Sequence, residues 1–196
     1  MLPRAAALPL LLLLPACGIN SVPTADELVK ARWADVQADY QRRADLIPNL
    51  NAVVQGAAAQ ERDTLREVTE ARARAVQVNV SPEQLSDPAA VQRFQQAQGQ
   101  LSSALNGLRV TIERYPELRA NESFLTFQSQ LEGTENRINN SVRDYNEAVQ
   151  AYNTRIRTFP DLIGARFVHG AQPYTPFQAQ PGSEVAPRVS FDRAGS

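Results

Sequence analysis

The chain has 196 residues, with 21 acidic against 20 basic side chains, 43% hydrophobic residues and one cysteine. That length suits one domain with its own core and is short for two. A formal charge of -1 lacks the basic excess of a nucleic-acid binder. A lone cysteine excludes a disulfide framework, so packing alone must hold the fold.

The first stretch, MLPRAAALPLLLLLPACG, has a basic start at Arg4 and an apolar run from Ala5 to about Pro15. The run is about half the ~20 residues that span a bilayer, which fits the core of a secretory signal. It ends at Leu14-Pro15-Ala16-Cys17-Gly18. Leucine and alanine placed in this way before a cysteine resemble a bacterial lipoprotein processing site. In that reading residues 1–16 are a signal peptide and residues 17–23 a linker acylated at Cys17. The competing reading is an ordinary signal peptide with a chance cysteine. Several acyl chains on Cys17 would give stable attachment to a membrane, whereas one alone is marginal. Gly18 stands where aspartate would mark inner-membrane retention. In a diderm cell it points to the inner leaflet of the outer membrane, facing the periplasm.

Three stretches then share one rhythm. Apolar residues fall at Val29, Trp33, Val36, Tyr40, Ile47, Leu50, Val54 and Ala57, with Arg43 filling the gap. The second series is Phe94, Leu101, Leu105, Leu108, Ile112 and Tyr115, with Gln98 in register. The third is Leu131, Ile138, Val142, Tyr145, Val149, Tyr152, Ile156 and Phe159, with Glu135 in register. Steps of four and three in turn predict near-parallel helices with left-handed packing. The fold class is all-α, an antiparallel four-helix bundle over 24–160. Asp87 before Pro88, and Asn121, read as helix caps, and the third series runs on to Phe159-Pro160. Asp26/Lys30, Asp39/Arg43 and Glu70/Arg74 have the favourable acid-first order on a helix.

Pro48 interrupts the first series without shifting its phase. A single helix over 24–77 would be about 80 Å long, far beyond partners of about 42 and 57 Å. Its excess seam would lie bare, which soluble monomers avoid. The preferred expectation is therefore a corner at Pro48, giving four segments that run up and down. The runner-up is one kinked helix whose excess a second chain covers; nothing in the sequence sets the oligomeric state. The last part, 161–196, is rich in proline and glycine yet carries Phe167, Tyr174, Phe177 and Phe191. It is expected to lie extended along the bundle, its aromatics speaking against a loose tail throughout.

Chemistry is sparse. The one histidine, His169, cannot supply a di-iron bundle, and Cys and His are too few for structural zinc. Phosphate-loop and nucleophile-elbow patterns are missing. No catalytic residue, metal or cofactor is expected, and no enzyme. Polar residues on the seams stand out instead: Tyr40, Arg43, Glu135, Tyr145 and Tyr152. Tyr145-Asn146 recurs one heptad later as Tyr152-Asn153. Buried tyrosine hydroxyls need partners. The seam is either a register-fixing polar layer or a slot for a small ligand or peptide. Arg42, Asp45 and Asn49, at the expected corner, form a candidate partner surface or else cap the helix ends.

WADVQADYQRRADLIPNL, VTEARARA, FQQAQGQLSSAL, ERYPELRAN, LEGTENRI and YNEAVQAYN, with the lipoprotein-like start, resemble the LemA family of bacterial envelope proteins. The resemblance covers about residues 18–190. It implies an antiparallel four-helix bundle held at the membrane by its N-terminus, with a C-terminal extension of the kind this chain carries. It carries over no catalytic residue. The expected role is an interaction or scaffold module with an envelope protein partner, the alternative being a ligand-binding bundle built on the tyrosine seam.

Overall fold

The computed structural model describes residues 16–54, 62–116 and 120–178, with the expected signal stretch up to residue 15 and the chain beyond 178 outside them. Among the described residues the protein is all-helical, without strands. Four long helices follow in order: α1 (Ala16–Val54), α2 (Arg62–Gln77), α3 (Pro88–Ile112) and α4 (Glu122–Arg155). A 3-10 helix (Pro82–Ser86) sits between α2 and α3. After α4 come a short α5 (Asp161–Gly164) and a π turn (Ala165–His169). No helix among the described residues is long and apolar enough to cross a membrane.

Two caps form as the sequence predicts. Asp87 accepts a hydrogen bond from the Ala89 N–H at 2.9 Å, with Pro88 opening α3. Asn121 accepts from the N–H groups of Ser123 and Phe124 at the start of α4. These satisfy donors that the first helical turn leaves free.

Pro48 is not a corner. It lies inside α1, which continues to Val54. Proline removes the N–H that would bond the carbonyl four residues back. That carbonyl, of Ala44, instead accepts from Arg72 Nε of α2 at 2.7 Å. The helix thus continues because a neighbour supplies the donor that proline lacks. Arg72 meets Ala44 and Asn79 meets Gln37, so α2 runs back along α1. Helix α1 has 39 residues, about 58 Å.

That length finds its partner in α4, whose 34 residues give about 51 Å. Arg155 meets Ser21, Trp33 meets Tyr145 and Arg43 meets Glu135, so the two helices run in opposite directions along most of their length. Residues 17–23, expected as linker, are helical and carry the buried Val22. Helix α4 ends at Arg155, four residues before the expected Phe159, in turns closed by the N–H groups of Arg157 and Thr158. The segment 161–169, expected as extended, is helical.

Many of the seam residues, joined by Leu85, Val68, Phe124 and Phe127 from outside the series, make two core clusters, whereas Phe159 at the end of the third series is 72% exposed. One gathers Val29, Trp33, Val36, Leu85, Phe94, Tyr145 and Tyr152. The other gathers Ile47, Leu50, Val68, Leu101, Leu105, Phe124 and Phe127. Fully burying such side chains stabilises by roughly 1.5–3 kcal/mol each. Between the clusters lies a polar layer.

Candidate functional site

The layer is built from the three residues that fill gaps in the apolar series. Arg43 is only 1% exposed. Its Nη1 donates to Ser102 Oγ at 2.8 Å and to Glu135 Oε2 at 3.3 Å. Its Nη2 donates to the Gln98 carbonyl and to Gln98 Oε1 at 3.2 and 3.0 Å. Gln98 in turn donates to the Ala75 carbonyl of α2. One guanidinium therefore ties α1 to α3 and α4, and through Gln98 to α2. The guanidinium also lies 4.9 Å from the centre of the Tyr40 ring, within cation–π range. Its Nε–H is buried and has no acceptor. Asp39, expected to pair with Arg43, pairs with Arg42 at 2.8 Å instead, because Arg43 turns inward. Asp26 and Lys30 do pair, at 2.8 Å, while Glu70 faces Arg66 at 3.7 Å.

The tyrosine part of the seam is filled by the chain's own C-terminal segment. Phe177 lies 6.0 Å from Tyr145, 5.9 Å from Trp33 and 6.2 Å from Phe94, ring centre to ring centre. The Tyr174 ring lies 4.8 Å from that of Tyr152, tilted by 39°, and its hydroxyl donates to Asp26. The Tyr145 hydroxyl donates to the Thr175 carbonyl at 2.9 Å. Two asparagines hold the backbone of this strap. Asn153 accepts from the Tyr174 N–H at 2.9 Å and donates to its carbonyl at 2.8 Å. Asn146 does the same for Phe177 at 2.8 and 3.1 Å.

The spacing follows from elementary geometry. Asparagines one heptad apart on α4 are separated by about 10.5 Å along its axis. Three residues of extended chain reach about 10 Å. The repeated Tyr-Asn pair is thus a ladder matched to Tyr174 and Phe177, with the strap running opposite to α4. Burial raises the hydroxyls of Tyr145 and Tyr152 above the ordinary tyrosine range, and pushes Tyr40 up to about 12. These rings are held neutral.

An open cleft remains at the other end of the polar layer. It has a volume of about 210 Å³ between α3 and α4, with Leu105, Leu108, Phe124, Phe127 and Leu131 as its apolar walls. Arg109 stands on the α3 bank and Glu132 and Glu135 on the α4 bank, with Arg43 between. Nothing in the periodicity marks this cleft: Leu105, Leu108 and Leu131 are ordinary seam positions, and Phe124 and Phe127 precede the third series. Arg42, Asp45 and Asn49 share an exposed row on the unbroken α1. Asp45 accepts from Gln41 at 2.7 Å, and these residues neither sit at a corner nor cap a helix end. Cys17 falls in the first turn of α1, its side chain outside the described ones. Among the described residues no cluster of His, Cys, Asp and Glu is arranged to hold a metal ion.

Fold and seam define an all-helical protein whose aromatic seam is closed by its own strap and whose core is divided by one buried arginine. The chain belongs to the LemA family, which it matches over residues 32–191. It is 27% identical over 143 residues to Protein LemA of Metamycoplasma hominis, covering 71% of this chain and 57% of that one. The matched part therefore spans little more than half of that curated relative.

Proposed function

We propose that this chain is a membrane-tethered, antiparallel four-helix bundle with left-handed packing that serves as an interaction or scaffold module of the bacterial cell envelope. Cys17 is its acylation site, and in a diderm cell it faces the periplasm from the inner leaflet of the outer membrane. It performs no catalytic step of its own. The observation that carries this reading is the occupied seam: Phe177 fills the space among Trp33, Phe94 and Tyr145 that a small ligand would need. A tyrosine-lined ligand slot is thereby disfavoured, and the exposed cleft between α3 and α4 takes its place as the partner surface.

The occupant of the cleft is a segment of an envelope protein with a row of apolar side chains. The α3 bank carries Arg109 and the α4 bank Glu132 and Glu135. Such a segment therefore presents an acidic edge to α3 and a basic edge to α4, as electrostatic complementarity requires. The test is a photo-crosslinking side chain in place of the exposed Asn106, which lines the cleft, in intact cells. The expected result is one defined membrane-fraction adduct, identified by mass spectrometry and abolished by Leu131→Glu. An adduct indifferent to Leu131→Glu sinks the cleft as the docking surface. Recovery of both the parent chain and Cys17→Ser wholly in the soluble fraction sinks the tether.

A further inference from the structure

The end of the molecule where α1 begins carries an apolar surface that neither the strap nor the core uses. Nine large hydrophobic side chains are exposed among the described residues, and five of them fall within residues 159–168. Phe159 is 72% exposed, Phe167 79% and Val168 61%, with Leu162 and Ile163 beside them. Scattered apolar residues on a surface are ordinary, but a cluster of this kind marks a contact. The cluster has a rigid base. Gly164 and Ala165 are buried against the core, and α5 and the π turn both pack on α1. Folding thus holds these side chains outward.

Two further features say what covers them. The first is position: Arg155 Nη1 donates to the Ser21 carbonyl at 3.0 Å, so the apolar turn sits beside the start of α1. In the tether reading the acylated Cys17, in the first turn of α1, stands at that same end. The second is charge. Residues 155–168 hold three arginines and one aspartate, and Asp161 is occupied by Arg155 at 3.4 Å. Arg157 and Arg166 are exposed beside the apolar residues. The nearby acids Asp26 and Glu83 line a hollow with His169 and Tyr174, Asp26 being bound to Lys30. Aromatic and aliphatic side chains flanked by arginine are what an anionic lipid surface accepts at its headgroup level.

We propose that the turn 159–168 is a second membrane contact, inserting Phe159 and Phe167 into an anionic lipid surface while Arg157 and Arg166 meet its headgroups. The contact fixes the tilt of the bundle and points the cleft between α3 and α4 away from the bilayer. It rests on the tether reading for which end of the molecule faces lipid.

The test uses the full chain carrying Phe167→Trp, mixed with vesicles of phosphatidylglycerol and phosphatidylcholine brominated along the acyl chain. The natural Trp33 is fully buried and gives a constant background. The added indole is expected to shift to the blue and lose roughly half of its emission, as a ring buried about 5–10 Å into the headgroup–acyl boundary would. Phe159→Ser together with Arg157→Gln should weaken this quenching. Recovery with the vesicles but unquenched emission overturns the second contact and leaves the tether standing. Failure to associate with vesicles at all overturns both. A blue shift without lipid that grows with protein concentration assigns the face to a second copy and also overturns the proposal.

Discussion

Replacing Pro48 by alanine distinguishes a through-going helix from a corner by the sign of one number. In a helix interior, proline is about 3 kcal/mol less favourable than alanine. Pro48 is exposed, so the change removes no core packing. Part of the deficit is already offset, because the freed Ala44 carbonyl accepts from Arg72. The unfolded chain also gains about 0.4–1 kcal/mol of freedom when proline is lost. The net expectation for Pro48→Ala is stabilisation by about 1–2 kcal/mol. Urea unfolding followed by Trp33 fluorescence and far-ultraviolet circular dichroism measures it as a higher midpoint at unchanged slope. Arg72→Ala should cost about 1–2 kcal/mol in the parent chain and less in Pro48→Ala, where the new N–H satisfies the same carbonyl. A destabilised Pro48→Ala with an unchanged Arg72 effect would refute the continuous helix.

Other expectations concern the polar layer. Arg43→Ala should destabilise by about 2–4 kcal/mol, since it takes the donor from the buried Gln98 Oε1 and opens a cavity, while the Gln98 carbonyl keeps Ser102 Oγ. Glu135 is 49% exposed, so Glu135→Gln should cost less than about 1 kcal/mol; equal effects in urea unfolding would contradict the geometry. Tyr40 is pushed up to about 12, chiefly by burial, and an unfolded tyrosine titrates near 10. Its folded pKa is thus the higher, so stability is whole below about pH 10 and declines as pH rises through about 12. The slope is up to about 1.4 kcal/mol per pH unit for this tyrosine, and Tyr40→Phe should flatten it in alkaline urea titrations. An unchanged slope would mean that Tyr40 is solvated in the folded protein.

The seams were legible because a heptad pattern reports which face of each helix is buried. Trp33, Ile47, Leu101, Leu105 and Tyr145 are all core residues. Arg43, Gln98 and Glu135 were placed in register by the same pattern, and they meet in one layer. Pro48 was misread as a corner because its lost hydrogen bond has its substitute on another helix: Arg72 is 28 residues away from Ala44 in sequence. The excess seam was judged against a helix reaching residue 77, whereas α1 is described to Val54, α2 is a separate helix, and α1 finds its cover in α4. Asn146 and Asn153 were visible as a repeat, but their role needs the strap, whose Pro-rich sequence has no periodicity to register against α4. The exposed apolar cluster within residues 159–168 lies in turns and short helical pieces, where hydrophobic residues carry no face assignment until the backbone is known.

The most direct test of the account is amide hydrogen exchange at Tyr174 and Phe177 in the full chain. Both N–H groups are bonded to asparagine side chains of α4, so protection should approach that of α4 amides near Tyr145. Asn153→Ala should remove it at Tyr174 first, with a loss of about 1–2 kcal/mol of local stability. Exchange at both amides at the rate of an unstructured peptide would leave the seam open and contradict a bundle closed by its own strap.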